Sequence, residues 1–222
     1  MYQSDEVKNM EDSKYLRLAR QAREENNSED AKMYYGKVRE EDPENVEAKF
    51  FYAYYAMYEG KNGEIPSRFS NICTVLFSSL KMIAQAPISA EEQLSIIEQI
   101  TTTFVPETWA LNRYMNHKNR ETKIGDSYVT VFETSTIISC SKKGMMAIRD
   151  LGDEIVKMYP NNRQAGIIAA YAWKEYVSLA QKWYAWAPKG EAEVYANKIK
   201  QFVPEYEMPK KAGCISLADN KN

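Results

Sequence analysis

The 222-residue chain carries 29 Lys and Arg against 31 Asp and Glu. A net charge of -2 provides no field to draw a phosphate backbone or an anionic lipid surface, so nucleic acid and membrane are disfavoured as partners. Hydrophobic residues at 44% and charged ones at 27%, with only 9 Gly and 8 Pro, exclude disordered and fibrous classes and leave an ordered chain long enough to bury its own core.

Met1 to Ser13 is polar and acidic and has no charged start followed by an apolar stretch, so it does not read as a secretory leader, and a cytoplasmic location is expected. Residues 12 to 25 place Tyr15, Leu18, Ala19 and Ala22 on one helical face, with Arg17, Arg20, Arg23 and Glu24 outside it. Asn26, Asn27 and Ser28 break that helix, and Glu29 and Asp30 suit the positive end of the next. The second helix turns Ala31, Tyr34, Tyr35 and Val38 inward and ends near Glu41; Asp42 can cap a third helix and Pro43 can occupy its first turn. That third helix is expected over Pro43 to Tyr58 and is apolar on every side from Phe50 onward.

These residues resemble the tetratricopeptide repeat, a helix pair of about 34 residues with small and bulky side chains at fixed offsets. Tyr15, Leu18 and Ala19 stand at its first-helix positions, and Ala31, Tyr35, Val38 and Pro43 at its second-helix and terminal positions; Ala22 departs from it, where an aromatic is usual. The resemblance is strongest over Tyr15 to Tyr58 and extends to bacterial tetratricopeptide-like proteins that often carry a zinc ribbon. The ribbon is missing here.

After Gly60 to Pro66 the pattern lapses. A long apolar helix is expected from Ser67 to Ala86, and Ser89 with Glu92 forms a capping box that opens another helix toward Trp109 and Tyr114, kinked or split near Thr103 to Val105 by Pro106. Residues 116 to 126 read as a loop. Tyr128 to Cys140 has strand propensity, but no second strand candidate exists to pair with it, so a helix is expected, running to Tyr159 with Lys142 to Gly144 as its candidate break. The apolar windows Ile72 to Ile88 and Ile167 to Ala187 are interrupted by charged or amide side chains and read as buried helices rather than membrane spans.

Repetition then returns. Pro160, Asn162 and Ala165 reproduce the spacing of Pro43, Asn45 and Ala48, and Ala192, Ala196, Ile199 and Pro204 that of Ala31, Tyr35, Val38 and Pro43. About ten residues too many lie between them for a regular unit, so the helix from Asn161 to Ala187 is over-long or broken. Glu205 to Asn222 reads as a flexible tail. The expected architecture is all-α: about seven to nine helices in tetratricopeptide-like antiparallel hairpins, forming an irregular right-handed solenoid or bundle. It is one domain over residues 1 to 204, with repeat-like pairs at 12 to 58 and 160 to 204 and irregular helices at 67 to 159 between them.

The chemistry expected of such a chain is sparse. The single histidine, His117, sits in the expected loop, and Tyr114 stands where a di-iron bundle would need the Glu of a Glu-x-x-His motif. Neither glycine-rich phosphate motif occurs. Cys73, Cys140 and Cys214 lack metal-site spacing; the first two lie among apolar residues as core thiols. No enzyme activity, metal or cofactor is expected. In helix-repeat proteins the first helices of successive pairs line a concave surface, so the resemblance implies a protein or peptide partner bound by Leu16, Arg20, Arg23, Phe50, Tyr54, Met57 and Tyr58. The competing reading makes Phe50 to Tyr58 the buried centre of the domain. The alternative function is a small-molecule or lipid-binding helical domain with an aromatic pocket of Phe50, Tyr54, Trp173 and Trp183. Neither the partner nor the oligomeric state can be read from the sequence.

Overall fold

A computed structural model describes residues 13–57, 59, 64–121, 123–124, 127–128, 133–182 and 187–209. Among them are eight α-helices: α1 (Lys14–Glu24), α2 (Ser28–Glu41), α3 (Val46–Tyr55), α4 (Ile65–Gln85), α5 (Ala90–Glu121), α6 (Thr134–Met158), α7 (Arg163–Lys182) and α8 (Glu191–Lys200). The chain is therefore all-α, apart from one small hairpin in which β1 (Lys123–Ile124) pairs antiparallel with β2 (Ser127–Tyr128).

Short polar side chains set the helix boundaries. Ser13 caps α1 by accepting from the Leu16 amide at 3.2 Å, and Asn26, at φ 57°, turns the chain through the left-handed region that asparagine tolerates. Asn27 caps α2 by accepting from the Asp30 amide. At the third helix the expectation is corrected: Asn45, not Asp42, is the cap, and Pro43 lies in the turn ahead of it. The Asn45 Oδ1 accepts from the Ala48 amide at 3.0 Å, and Asn162 does the same for Ala165 at 3.0 Å at the start of α7. The spacing repeated in the sequence is thus one capping device used twice.

The middle of the chain differs from its expectation in three places. Helix α5 runs unbroken through Pro106 and on to Glu121, into the expected loop. Pro106 removes the amide that the Thr102 carbonyl would accept from, but both residues lie on the exposed side, where water can replace it. The hydroxyls of Thr101, Thr102 and Thr103 donate to the carbonyls of Ile97, Glu98 and Gln99 just before the proline. Tyr128 belongs to β2, because Lys123–Ile124 supplies the strand partner that the sequence pattern does not reveal; α6 begins only at Thr134. Helix α6 then continues through Gly144 without a break, since the lack of a side chain there lets Thr108 and Phe69 pack against its backbone.

Each helix packs on the next, except that α4 to α6 form a three-way contact in which α4 also meets α6 directly. Helix α3 touches α5, and α5 touches α7. One continuous apolar core runs through all eight helices, from Leu16 through Phe69 and Leu151 to Ile199. Burying a side chain of that size contributes about 1.5–3 kcal/mol. Of the expected tail, Tyr206 and Met208 pack on α7, with Lys174 over the Tyr206 ring at 5.8 Å and Gln181 against Met208; residues 210–222 lie outside the described ones.

Candidate functional site

The expected site on α1 and α3 is largely structural. Glu47 is buried, and Arg20 and Arg23 converge on it: Arg20 Nη2 donates to Oε2 at 2.7 Å, and Arg23 Nη1 to Oε1 at 3.3 Å. Tyr35 donates to the same carboxylate at 2.8 Å, and Arg23 reaches on to Gln99 of α5 at 2.7 Å while stacking over Phe51 at 4.3 Å. A carboxylate taken out of water needs this density of donors, so the two arginines hold α1, α3 and α5 together. Burial, then the neighbouring Glu47 charge, pushes the Tyr35 hydroxyl well above its usual range, keeping it a proton donor to Glu47.

The aromatic run divides. Leu16, Phe50 and Met57 are core side chains, which removes them from any groove; all three were expected in one. Tyr54 is half-buried and donates to Glu107 of α5 at 3.0 Å, with burial and that carboxylate raising its pKa. Tyr58 lies outside the described residues. The alternative aromatic pocket is not assembled among them either. Phe50 pairs with Phe51 and Tyr54, whereas Trp173 pairs with Tyr195 and Phe202 and fills the space beside Gly152; Trp183 lies outside the described residues.

Among the described residues two grooves stand open to solvent. One, of about 530 Å³, lies between the starts of α4 and α6 and is lined by Pro66, Ser67, Ser70, Ser135, Thr136, Ser139, Cys140 and Lys143, with Lys143 hydrogen-bonded to Ser70 across it. Beneath it Cys73 is buried, and that burial pushes its thiol up to about 11, which leaves it protonated and a poor nucleophile at neutral pH. The other, of about 490 Å³, lies between α5 and the start of α7 and is lined by Ala90, Glu91, Leu94, Ser95, Glu98, Asn162 and Gln164. Gln164 bridges it by donating to Glu98 at 3.4 Å.

One and two helical turns beyond Gln164, on the same face of α7, Ile167 and Tyr171 are large apolar side chains 39% and 42% exposed. The sequence reading missed them, although the signal was there. Counted from the capping asparagines, Gln164, Ile167 and Tyr171 occupy in α7 the places of Glu47, Phe50 and Tyr54 in α3. Farther along, Trp109 of α5 donates to Glu175 of α7 and Lys182 stacks over the Trp109 ring at 4.5 Å. Side chains therefore link α1 to α3 and α5, α3 to α5, and α5 to α7.

Among the described residues no three His, Cys, Asp or Glu side chains gather as a metal site, and no helix is long and apolar enough to cross a membrane. His117 is exposed on α5 rather than in a loop. Comparison of the chain with protein-family models, with curated proteins and with solved structures finds no match.

Proposed function

We propose that the chain is a non-catalytic scaffold with an irregular tetratricopeptide-like arrangement of helix pairs, and that it holds a peptide segment of another protein against the layer made by α1, α3, α5 and α7. The observation that carries this reading is the pattern of contacts between helices not adjacent in the chain: α3 touches α5 and α5 touches α7, while α4 touches α6. Odd helices in such an array are the ones left to face a ligand. Their open part is the groove between α5 and α7, with Ile167 and Tyr171 exposed on the same face of α7, and not the α1–α3 surface, where Arg20 and Arg23 are engaged with Glu47.

A random peptide library displayed on phage and selected on the immobilised chain tests the reading. Selected peptides should slow amide exchange along α5 and α7. A library that yields no binder, or binders that protect only the even-numbered helices, would reject it.

A further inference from the structure

The groove between α5 and α7 has a chemical character of its own, and the inference drawn from it rests on the scaffold reading. Its lining residues include two carboxylates, Glu91 and Glu98, and no cation. Leu94 forms part of its wall, and Ile167 and Tyr171 stand exposed on the next turns of α7, on the same helical face as Gln164. Gln164 occupies the place that buried Glu47 takes in α3, yet among the described residues its hydrogen-bond partner is Glu98 and not an arginine of a preceding helix. At the α1–α3 junction an acidic side chain is neutralised by two arginines of the same chain, whereas the α5–α7 junction presents carboxylates to solvent.

We infer that the occupant of this groove is a basic, amphipathic segment of a partner protein, its Lys or Arg side chains set against Glu91 and Glu98 and its apolar side chains on Leu94, Ile167 and Tyr171. The charge complementarity selects this occupant over an acidic or a purely apolar peptide, because a like charge here is repelled and an uncharged segment leaves both carboxylates solvated but unused. The carboxylates govern encounter rate and selectivity, and the apolar side chains slow release.

Three labelled peptides of equal length and equal apolar pattern, differing only in Lys, Gln or Glu on the polar face, are titrated into the full chain and followed by fluorescence anisotropy. The Lys peptide should bind at least about tenfold more tightly than the Gln peptide, with the difference shrinking as salt rises. The double variant Glu91→Lys, Glu98→Lys should weaken the Lys peptide about tenfold or more, and Tyr171→Ala should weaken it while leaving the salt dependence in place. The control variant Glu40→Lys, Glu41→Lys makes the same change of net charge at the exposed end of α2 and should leave binding within about twofold of the parent. Equal weakening by both double variants would show attraction to net charge alone and overturn the inference. Preference for the Gln or Glu peptide also overturns it, but leaves the scaffold standing. Failure of the phage library to yield any binder ends the scaffold reading, and this inference with it.

Discussion

Helices α3 and α7 start with the same device and reach different ends. Each opens on an asparagine whose side chain caps the third residue beyond it, and each carries large apolar residues five and nine places past that cap. In α3 these are Phe50, fully buried, and Tyr54, tied to Glu107 of α5; in α7 they are Ile167 and Tyr171, both open to water. The two helices differ in their neighbours. Helix α5 lies against both α3 and α7, whereas among the described residues no later odd-numbered helix lies against α7; Tyr206 and Met208 pack near its second half. Whether a helical face is core or groove is thus decided by its neighbour and not by its own pattern. The two ends of the molecule also cohere differently, the first through a buried charge cluster and the second through rings packed on glycines.

A large expected effect tests the first of these. Arg20→Ala with Arg23→Ala leaves the Glu47 carboxylate buried without its cations and should cost about 3–5 kcal/mol in urea unfolding. A loss below about 1 kcal/mol would mean that Glu47 is solvated and the two ends are alike. The same result bears on function, since charge reversal at these arginines would lower partner capture by unfolding the α1–α3 end even if no partner touched it.

At the other end, a Cβ at Gly152 would overlap the Trp173 indole, and one at Gly166 would overlap the Phe202 ring. The Trp173 ring packs against Tyr195 at a centroid distance of 5.9 Å and against Phe202 at 6.5 Å, so these rings are held together. Gly152→Ala should therefore destabilise by about 1–3 kcal/mol and alter the near-ultraviolet tryptophan signal. An unchanged stability and spectrum would show that close helix approach is not what holds α6, α7 and α8.

Between the two ends, α4 packs on α6 with Cys73 buried near Cys140, and pH separates its contribution. A thiol that ionises near 9.0 when unfolded and near 11 when folded favours the folded state in full below pH 9. That contribution is lost by about 1.4 kcal/mol per pH unit as the pH rises from 9 to 11. Cys73→Ala should flatten the decline over this window while leaving the steeper loss above pH 10, where the tyrosines with raised pKa values at both ends begin to matter. Identical pH profiles for the variant and the parent would place Cys73 in contact with solvent.

The equivalence of α3 and α7 itself is tested by Asn45→Ala and Asn162→Ala, each removing one cap at a cost of about 1 kcal/mol. The two losses should agree within a few tenths of a kcal/mol; a twofold disparity would make the shared spacing coincidental.

The range of the interactions decides how much of this is legible in the sequence. The helical class, the turns at Asn26–Ser28 and the cap at Ser89 are set by neighbours a few residues away, and a sequence displays them directly. The hairpin at Lys123–Tyr128 was missed because two residues per strand are too short to show alternation. The continuity of α5 through Pro106 was missed because it depends on which side of the helix the proline faces. Of the expected site, Arg20 and Arg23 are engaged with Glu47, and Leu16, Phe50 and Met57 are buried. Arg20 and Arg23 look available on a helical wheel, and only the approach of α3 shows that Glu47 takes them; Phe50 and Ile167 look equivalent until the packed chain buries one of them.

That last contrast yields the smallest expected change in stability. Ile167→Ser replaces a side chain already 39% exposed, so it should shift unfolding by no more than about 0.5 kcal/mol, in the range of ordinary surface substitutions. Phe50→Ser, at the corresponding place in α3, opens a cavity in a fully buried site and should cost at least about 3–5 kcal/mol. The ratio matters more than either value. A large loss from Ile167→Ser would mean that something covers the α7 face in solution, either a second copy of the chain or a segment outside the described residues. Unfolding measured at two protein concentrations separates these, since coverage by a second copy is concentration-dependent and coverage by the same chain is not. A near-neutral Ile167→Ser that nonetheless weakens the basic peptide would place the residue where the geometry puts it, on a face that α7 presents to a partner and that α3 spends on its own core.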